Sequence, residues 1–175
     1  MIKFSESKIF VGAVNAPSFG QWFTLPVSSS RVRQFLTDMG AIGMGTGNEE
    51  MMISDYEAPF RIDSYESIEK INQIIESAKR AIETGIDDQT LADLINQGLI
   101  SIDHTIDTQV ENVVIIKAED EDDLANKVIN ILGGVSQLSD ENIARYFDFK
   151  KYGHDLILNG DYTPLPHGDY VGQQC

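Results

Sequence analysis

The chain has little sulfur and little positive charge, and it has no long apolar run. Its one cysteine is Cys175. A single thiol excludes an internal disulfide and a thiolate metal cluster. Cys175 also lacks the three following residues that a prenylation box needs. No run of about 18 apolar residues is present, which excludes a transmembrane helix. The opening Met1-Ile2-Lys3-Phe4-Ser5-Glu6 has no signal-peptide apolar centre, so a cytoplasmic location is expected. Basic residues number 13 against 28 acids, for a net charge of −15 and an isoelectric point near 4.4. That deficit argues against duplex DNA as a ligand, because DNA binding draws on Lys and Arg to release phosphate counterions. It argues equally against an anionic membrane surface, and it invites a basic partner.

With 42% hydrophobic and 9% aromatic residues, the chain has enough apolar material to fold. The charge is unevenly placed. Residues 1–48 carry four bases and two acids, residues 49–125 twenty acids and five bases, and residues 126–175 six acids and four bases. Solubility alone would spread acids over every exposed face. Concentrating them costs self-repulsion and points to a use for the charge.

Periodicity divides the chain into three small units within an α+β fold. In residues 1–62, Ile9–Val14 and Gln21–Leu25 read as strands, with Asn15–Gly20 as the connection and Pro26 ending the second. Ser28, Ser29 and Ser30 offer an N-cap to a helix with an apolar face of Val32, Phe35, Leu36 and Met39. Gly40 ends that helix, a glycine-rich loop spans residues 40–47, and Met51–Tyr56 reads as a third strand.

In residues 63–112 the period changes to 3.6. Ile68, Ile71, Ile74, Ile75, Ala78 and Ile82 form one stripe of a helix from about 66 to 84. Glu69, Glu76 and Glu83 fall within about 40° of each other on the opposite side, spaced about 10 Å apart along the axis. Arg80 intrudes on that acidic face. Asp87-Asp88 can cap a second helix using Leu91, Leu94 and Ile95, with Gly98 beyond its end. In residues 113–175, Val113–Ile116 is the strongest strand signal. The acids Glu119–Asp123 then precede a helix through Leu132, stopped by Gly133-Gly134. Ser139-Asp140-Glu141 can cap a further turn through Phe147, and Asp155–Leu158 and Asp169–Val171 read as short strands.

No pattern draws catalytic, cofactor-binding or metal-binding residues together. The glycine loop lacks the Gly-Lys-Ser/Thr ending of a P-loop and the dinucleotide spacing, and it precedes Glu49-Glu50 and a strand rather than a helix. Asp103, His104 and Asp107 sit in a segment that alternates as extended chain. The remaining histidines are isolated, and residues 119–123 lack the glycine and ligand spacing of a calcium loop. Carboxylates ahead of a helix satisfy its free N–H groups, which accounts for one or two of those five acids. There is no nucleophile elbow. Trp22 and its aromatic neighbours alternate at strand spacing, as core residues do. A small metal-dependent enzyme using His104 or Asp107, and an acidic regulator of some other basic protein, stand as alternative readings.

Gly20-Gln21-Trp22-Phe23-Thr24-Leu25-Pro26 resembles the Gly-x-Trp strand of the ArdA-type antirestriction proteins carried by conjugative plasmids and transposons. Glu49-Glu50, Asp55-Tyr56-Glu57 and Tyr65-x-Ser67-Ile68-x-x-Ile71-Asn72 are similar to that family's cadence, with Ile71 where Leu is usual. Ala144–Asp148 and Tyr152-Gly153-His154-Asp155-Leu156 resemble its Tyr-Gly-Arg-Asp-Leu block, with His154 in place of Arg and Gly160 at the expected glycine. The ordered blocks run from about residue 9 to 162. In 85–112 only the helical acidic character matches, and the 40–47 loop differs.

The resemblance implies an elongated chain of three units, forming a homodimer. It also implies an acidic surface that imitates DNA phosphates in the groove of type I restriction-modification enzymes. Duplex DNA carries one charge per about 1.7 Å, so the 30 net charges of such a dimer would cover roughly 51 Å of duplex. On this reading the partner-binding acids are Glu49, Glu50, Asp55, Glu57, Asp63, Glu66, Glu69, Glu76, Glu83, Asp87, Asp88 and Asp93. Glu119, Asp120, Glu121, Asp122 and Asp123 complete the set. The expected partner is the methyltransferase core of such an enzyme, with no nucleic acid, membrane or cofactor involved.

Overall fold

A computed structural model describes residues 2–43, 51–134 and 147–173. The chain is α+β and packs as two compact units, Met1–Val110 and Glu111–Cys175.

The first unit opens on a hairpin of β1 (Lys8–Ala13) and β2 (Ala16–Thr24), and β3 (Met51–Glu57) pairs with the other side of β1. The sheet is antiparallel throughout, in the order β2-β1-β3. Sequence reading treats Asn15–Gly20 as a connection, whereas the hairpin turns at Val14-Asn15 and residues 16–20 belong to β2. Pro17 and Gly20 hid that half, and it is exposed, so it has no apolar alternation to read.

Strand alternation sends neighbouring aromatics to opposite faces. Phe23 packs edge-on against Phe35 of α1 (Ser29–Asp38), with ring centroids 5.7 Å apart. Trp22 meets Phe10 at 5.6 Å and lies 5.1 Å from the Lys8 ammonium. Ser28 caps α1, its Oγ accepting from the Arg31 N–H.

The helices α2 (Ile68–Glu83), α3 (Asp88–Asn96) and α4 (Ile106–Val110) complete this unit. Ile71, Ile75, Ala78 and Ala81 of α2 and Leu91 and Leu94 of α3 are fully buried. Ser67 caps α2 through the Lys70 N–H, and Asp87 caps α3 through the Thr90 N–H. Gly85 and Gly98 end these helices at positive φ, 111° and 73°, a conformation that costs other residues a Cβ clash. Residues on either side of position 62 share this core: Phe4 stacks on Phe60, and its N–H donates to the Asp88 carboxylate at 2.9 Å.

In the second unit β4 (Val113–Lys117) leads into α5 (Glu121–Ile131). After α6 (Phe149–Leu158), β5 (Tyr162–Pro164) and β6 (Asp169–Gln173) complete an antiparallel sheet in the order β4-β6-β5. Ile116, Leu124, Val128, Leu156 and Tyr170 form its core. Residues 155–158, expected as a strand, are the last turn of α6. Asp148 caps that helix through the Lys151 N–H, and Gly153 lies against the Glu121 carbonyl, where any Cβ would collide. The helix expected from Ser139 falls outside the described residues.

Candidate functional site

The expected partner-binding acids fall into three groups. On α2, Glu69, Glu76 and Glu83 are all exposed, on the side away from the buried isoleucines. Glu69 accepts a hydrogen bond from Ser29 at the start of α1, which is the largest cause of its lowered pKa, and Arg33 adds a smaller electrostatic pull. Glu76 and Glu83 form no ion pair within 4 Å among the described residues.

The intruding Arg80 is held by Asp107, which lies in α4. Arg80 Nε donates to one Asp107 oxygen at 2.9 Å and Nη2 to the other at 3.2 Å. Buried Ser77 donates its hydroxyl to the same carboxylate at 2.6 Å and accepts from the Ile106 N–H at 2.7 Å. Together, Arg80 first and Ser77 second, they hold the Asp107 pKa at about 2. Two N–H donors in a planar fork suit one carboxylate well, so the cation on this face is already engaged.

A second group is committed to structure. Asp87 caps α3 with hydrogen bonds from the Thr90 N–H and hydroxyl, both 2.9 Å. Asp88 accepts from the Phe4 N–H. Asp93 is buried at 8% exposure and accepts from Gln89 at 2.9 Å. Glu57 pairs with Lys8 at 3.1 Å, Asp63 with Arg61 at 3.4 Å and Glu66 with Lys70 at 3.3 Å. Asp55 accepts from the next residue's N–H and is exposed.

The third group precedes and opens α5. Asp120 caps the helix through the Asp123 N–H at 2.9 Å. Asp123 accepts from the Glu119 N–H at 3.0 Å and from Lys127 at 2.6 Å, and Lys127 is the main cause of its lowered pKa. Glu121 lies 3.3 Å from the His154 Nδ1, a contact that is ionic only when the imidazole is protonated. Glu119 and Asp122 are exposed. Glu49 and Glu50 lie outside the described residues.

The segment around His104 differs from the extended chain that its alternation suggests. It turns at residues 102–104 and enters α4 at Ile106. Asp103 pairs with Lys70 at 2.8 Å while Asp107 holds Arg80, so each carboxylate has its own cation. Among the described residues no group of three or more His, Cys, Asp or Glu side chains is placed to hold a metal ion. Sequence reading passed over the partnership of Ser77, Arg80 and Asp107. Its only trace was a serine on an otherwise apolar helical stripe.

Fold and site together define a small acidic α+β protein, with an exposed carboxylate face on α2 and other acids engaged in capping and pairing. The sequence model of the antirestriction protein family ArdA matches residues 14–171. The chain belongs to the ArdA antirestriction protein family. No curated protein matches it.

Proposed function

We propose that this antirestriction protein works as a DNA decoy: its carboxylates occupy the basic DNA groove of type I restriction-modification enzymes and exclude DNA by competition. The family supports the target. The observation that carries the binding mode is the face of α2, where Glu69, Glu76 and Glu83 are exposed and the one cation among them is held by Asp107. At seven-residue spacing these charges repeat about every 10 Å, and a rigid helix holds them without the ordering cost of a flexible acidic tail. A groove built for phosphates would meet charges already in place, with no base to read.

On this reading exposed Asp55 adds to the contact charges of the first unit, and exposed Glu119 and Asp122 are contact charges of the second unit taken by itself. Glu49 and Glu50 keep their expected role as further contacts. The capped and paired acids contribute to the field more than to direct contact. Electrostatic steering speeds the encounter and makes it sensitive to salt. The protein acts in the cytoplasm, as a homodimer, on the methyltransferase core. Among the described residues no helix is long and apolar enough to cross a membrane.

The test is to add the purified chain to a type I methyltransferase bound to its DNA. Displacement of DNA is expected, weakening as salt rises. A chain that leaves the enzyme–DNA complex intact at every salt concentration would refute the proposal.

A further inference from the structure

The strand β3 lies at an edge of its sheet, and its Ile53 N–H donates to the Ser64 carbonyl at 2.8 Å, which draws the chain entering α2 alongside it. A pocket of about 300 Å³ opens there, with Val11, Ile53, Tyr65, Glu66, Ile68 and Glu69 in its lining. That is the small end of ligand-binding pockets, suited to one side chain rather than to a helix or a strand. Burial grades from wall to mouth. Val11, Ile53 and Ile68 are buried, Glu66 is half-buried, and Glu69 and Tyr65 are exposed. The interior is therefore apolar, and the mouth carries two carboxylates and an aromatic ring.

Tyr65 is the lining residue that the fold leaves unexplained. It is 74% exposed, and neither its ring nor its hydroxyl has a partner among the described residues. The two carboxylates are only partly matched by cations. Lys70 is shared between Glu66 at 3.3 Å and Asp103 at 2.8 Å, and Arg33 exerts a minor pull on Glu69. Hydrogen bonding from Ser29 holds Glu69 in place as the anion.

An apolar wall below two carboxylates and a bare ring matches a guest with an apolar stem and a planar cationic head. We propose that this pocket anchors an arginine side chain of the basic enzyme groove. Its methylenes would lie against Ile53 and Ile68, and its guanidinium against the Tyr65 ring between Glu66 and Glu69. The proposal rests on the decoy reading and deepens it, making one contact a fitted socket within a diffuse field of charge. Arginine suits the site better than lysine, because a guanidinium both stacks on a ring face and forks to a carboxylate.

NMR titration of the full chain at fixed ionic strength tests the socket, with n-butylguanidinium and n-butylammonium as probes. The first should shift the amide signals of Ile53, Tyr65 and Ile68 saturably, and the second should bind at least about threefold more weakly. Tyr65→Ala should weaken n-butylguanidinium binding by about three- to fivefold, and Tyr65→Phe should leave it unchanged, because the ring face and not the hydroxyl makes the contact. In displacement of DNA from a type I methyltransferase, Tyr65→Ala should lose a similar factor at an unchanged salt slope, since no charge is removed. Three results would each overturn the anchor: shifts spread evenly over the acidic surfaces, equal binding of both probes, or a Tyr65→Ala chain that binds and displaces like the unaltered one. Salt-dependent displacement would then still uphold the decoy. A chain that displaces no DNA at any salt concentration refutes the decoy and the anchor together.

Discussion

Along α2, exposed Glu69, Glu76 and Glu83 project from a helix held by isoleucines on its far side, and Glu69 also accepts from Ser29 at the start of α1. At the start of α5 the acids are drawn inward. Asp120 caps the helix, Asp123 accepts from Glu119 and Lys127, and Glu121 lies against His154. Three acids in one place are surface, while most of the five in the other are architecture. The count of carboxylates therefore overstates what a partner would touch, and a denser run does not make a better contact surface.

The largest test of this contrast is to replace Glu69, Glu76 and Glu83 together with glutamine. Three exposed charge contacts at about 0.2–1 kcal/mol each should weaken inhibition of a type I enzyme roughly tenfold. Melting temperature should hold or rise as like charges are removed. Unchanged inhibition would break the comparison. Ser77→Ala comes next, since it leaves the Ile106 N–H without its hydroxyl partner. It should cost about 1–3 kcal/mol in urea unfolding, and a loss near zero would show that Ser77 does not organise the face.

Asp120→Ala should cost about 1 kcal/mol through loss of the cap, read as a lowered melting temperature of the second unit. Inhibition by the protein that remains folded should change little. Asp122→Asn, on the same helix but with no side-chain partner among the described residues, should shift stability by less than about 0.5 kcal/mol.

Acid sharpens the picture further. The Asp107 pKa is depressed from 3.8 to about 2. Its contribution is therefore full above the unfolded value of 3.8 and is lost as pH falls through the folded value near 2. Arg80→Gln should flatten the decline in stability between those two values. An unchanged acid limb in urea titrations would show that the pair does not act as described.

Much of this was legible in the residues. The isoleucine stripe of α2, the caps at Ser28 and Asp87, the β4 run and the break at Gly98 all follow local rules, and local rules are visible in sequence. The exposed half of β2 was not, because Pro17 and Gly20 imitate a loop and no apolar alternation contradicts them. The end of α6 was misread as strand because Leu156, Ile157 and Leu158 are apolar without showing a face. The acidic face of α2 was legible as a helical period. That Arg80 is engaged was not, because its partner lies 27 residues away and only the tertiary fold brings Asp107 to it. Asp93 was likewise counted among surface acids, though packing turns it inward.

The central claim is that the α2 carboxylates are contact charges and those at the start of α5 are mainly structural. It is tested most directly by measuring displacement of DNA from a type I methyltransferase across a salt series. The chain and its Glu69/Glu76/Glu83→Gln variant would be compared, with Asp120→Asn/Asp123→Asn as the control at a temperature where both variants are folded. The account predicts a steep loss of displacement with salt for the chain, a shallower slope for the α2 variant and a nearly unchanged slope for the control. Equal slopes for the chain and the α2 variant, or a larger change in the control, would contradict it.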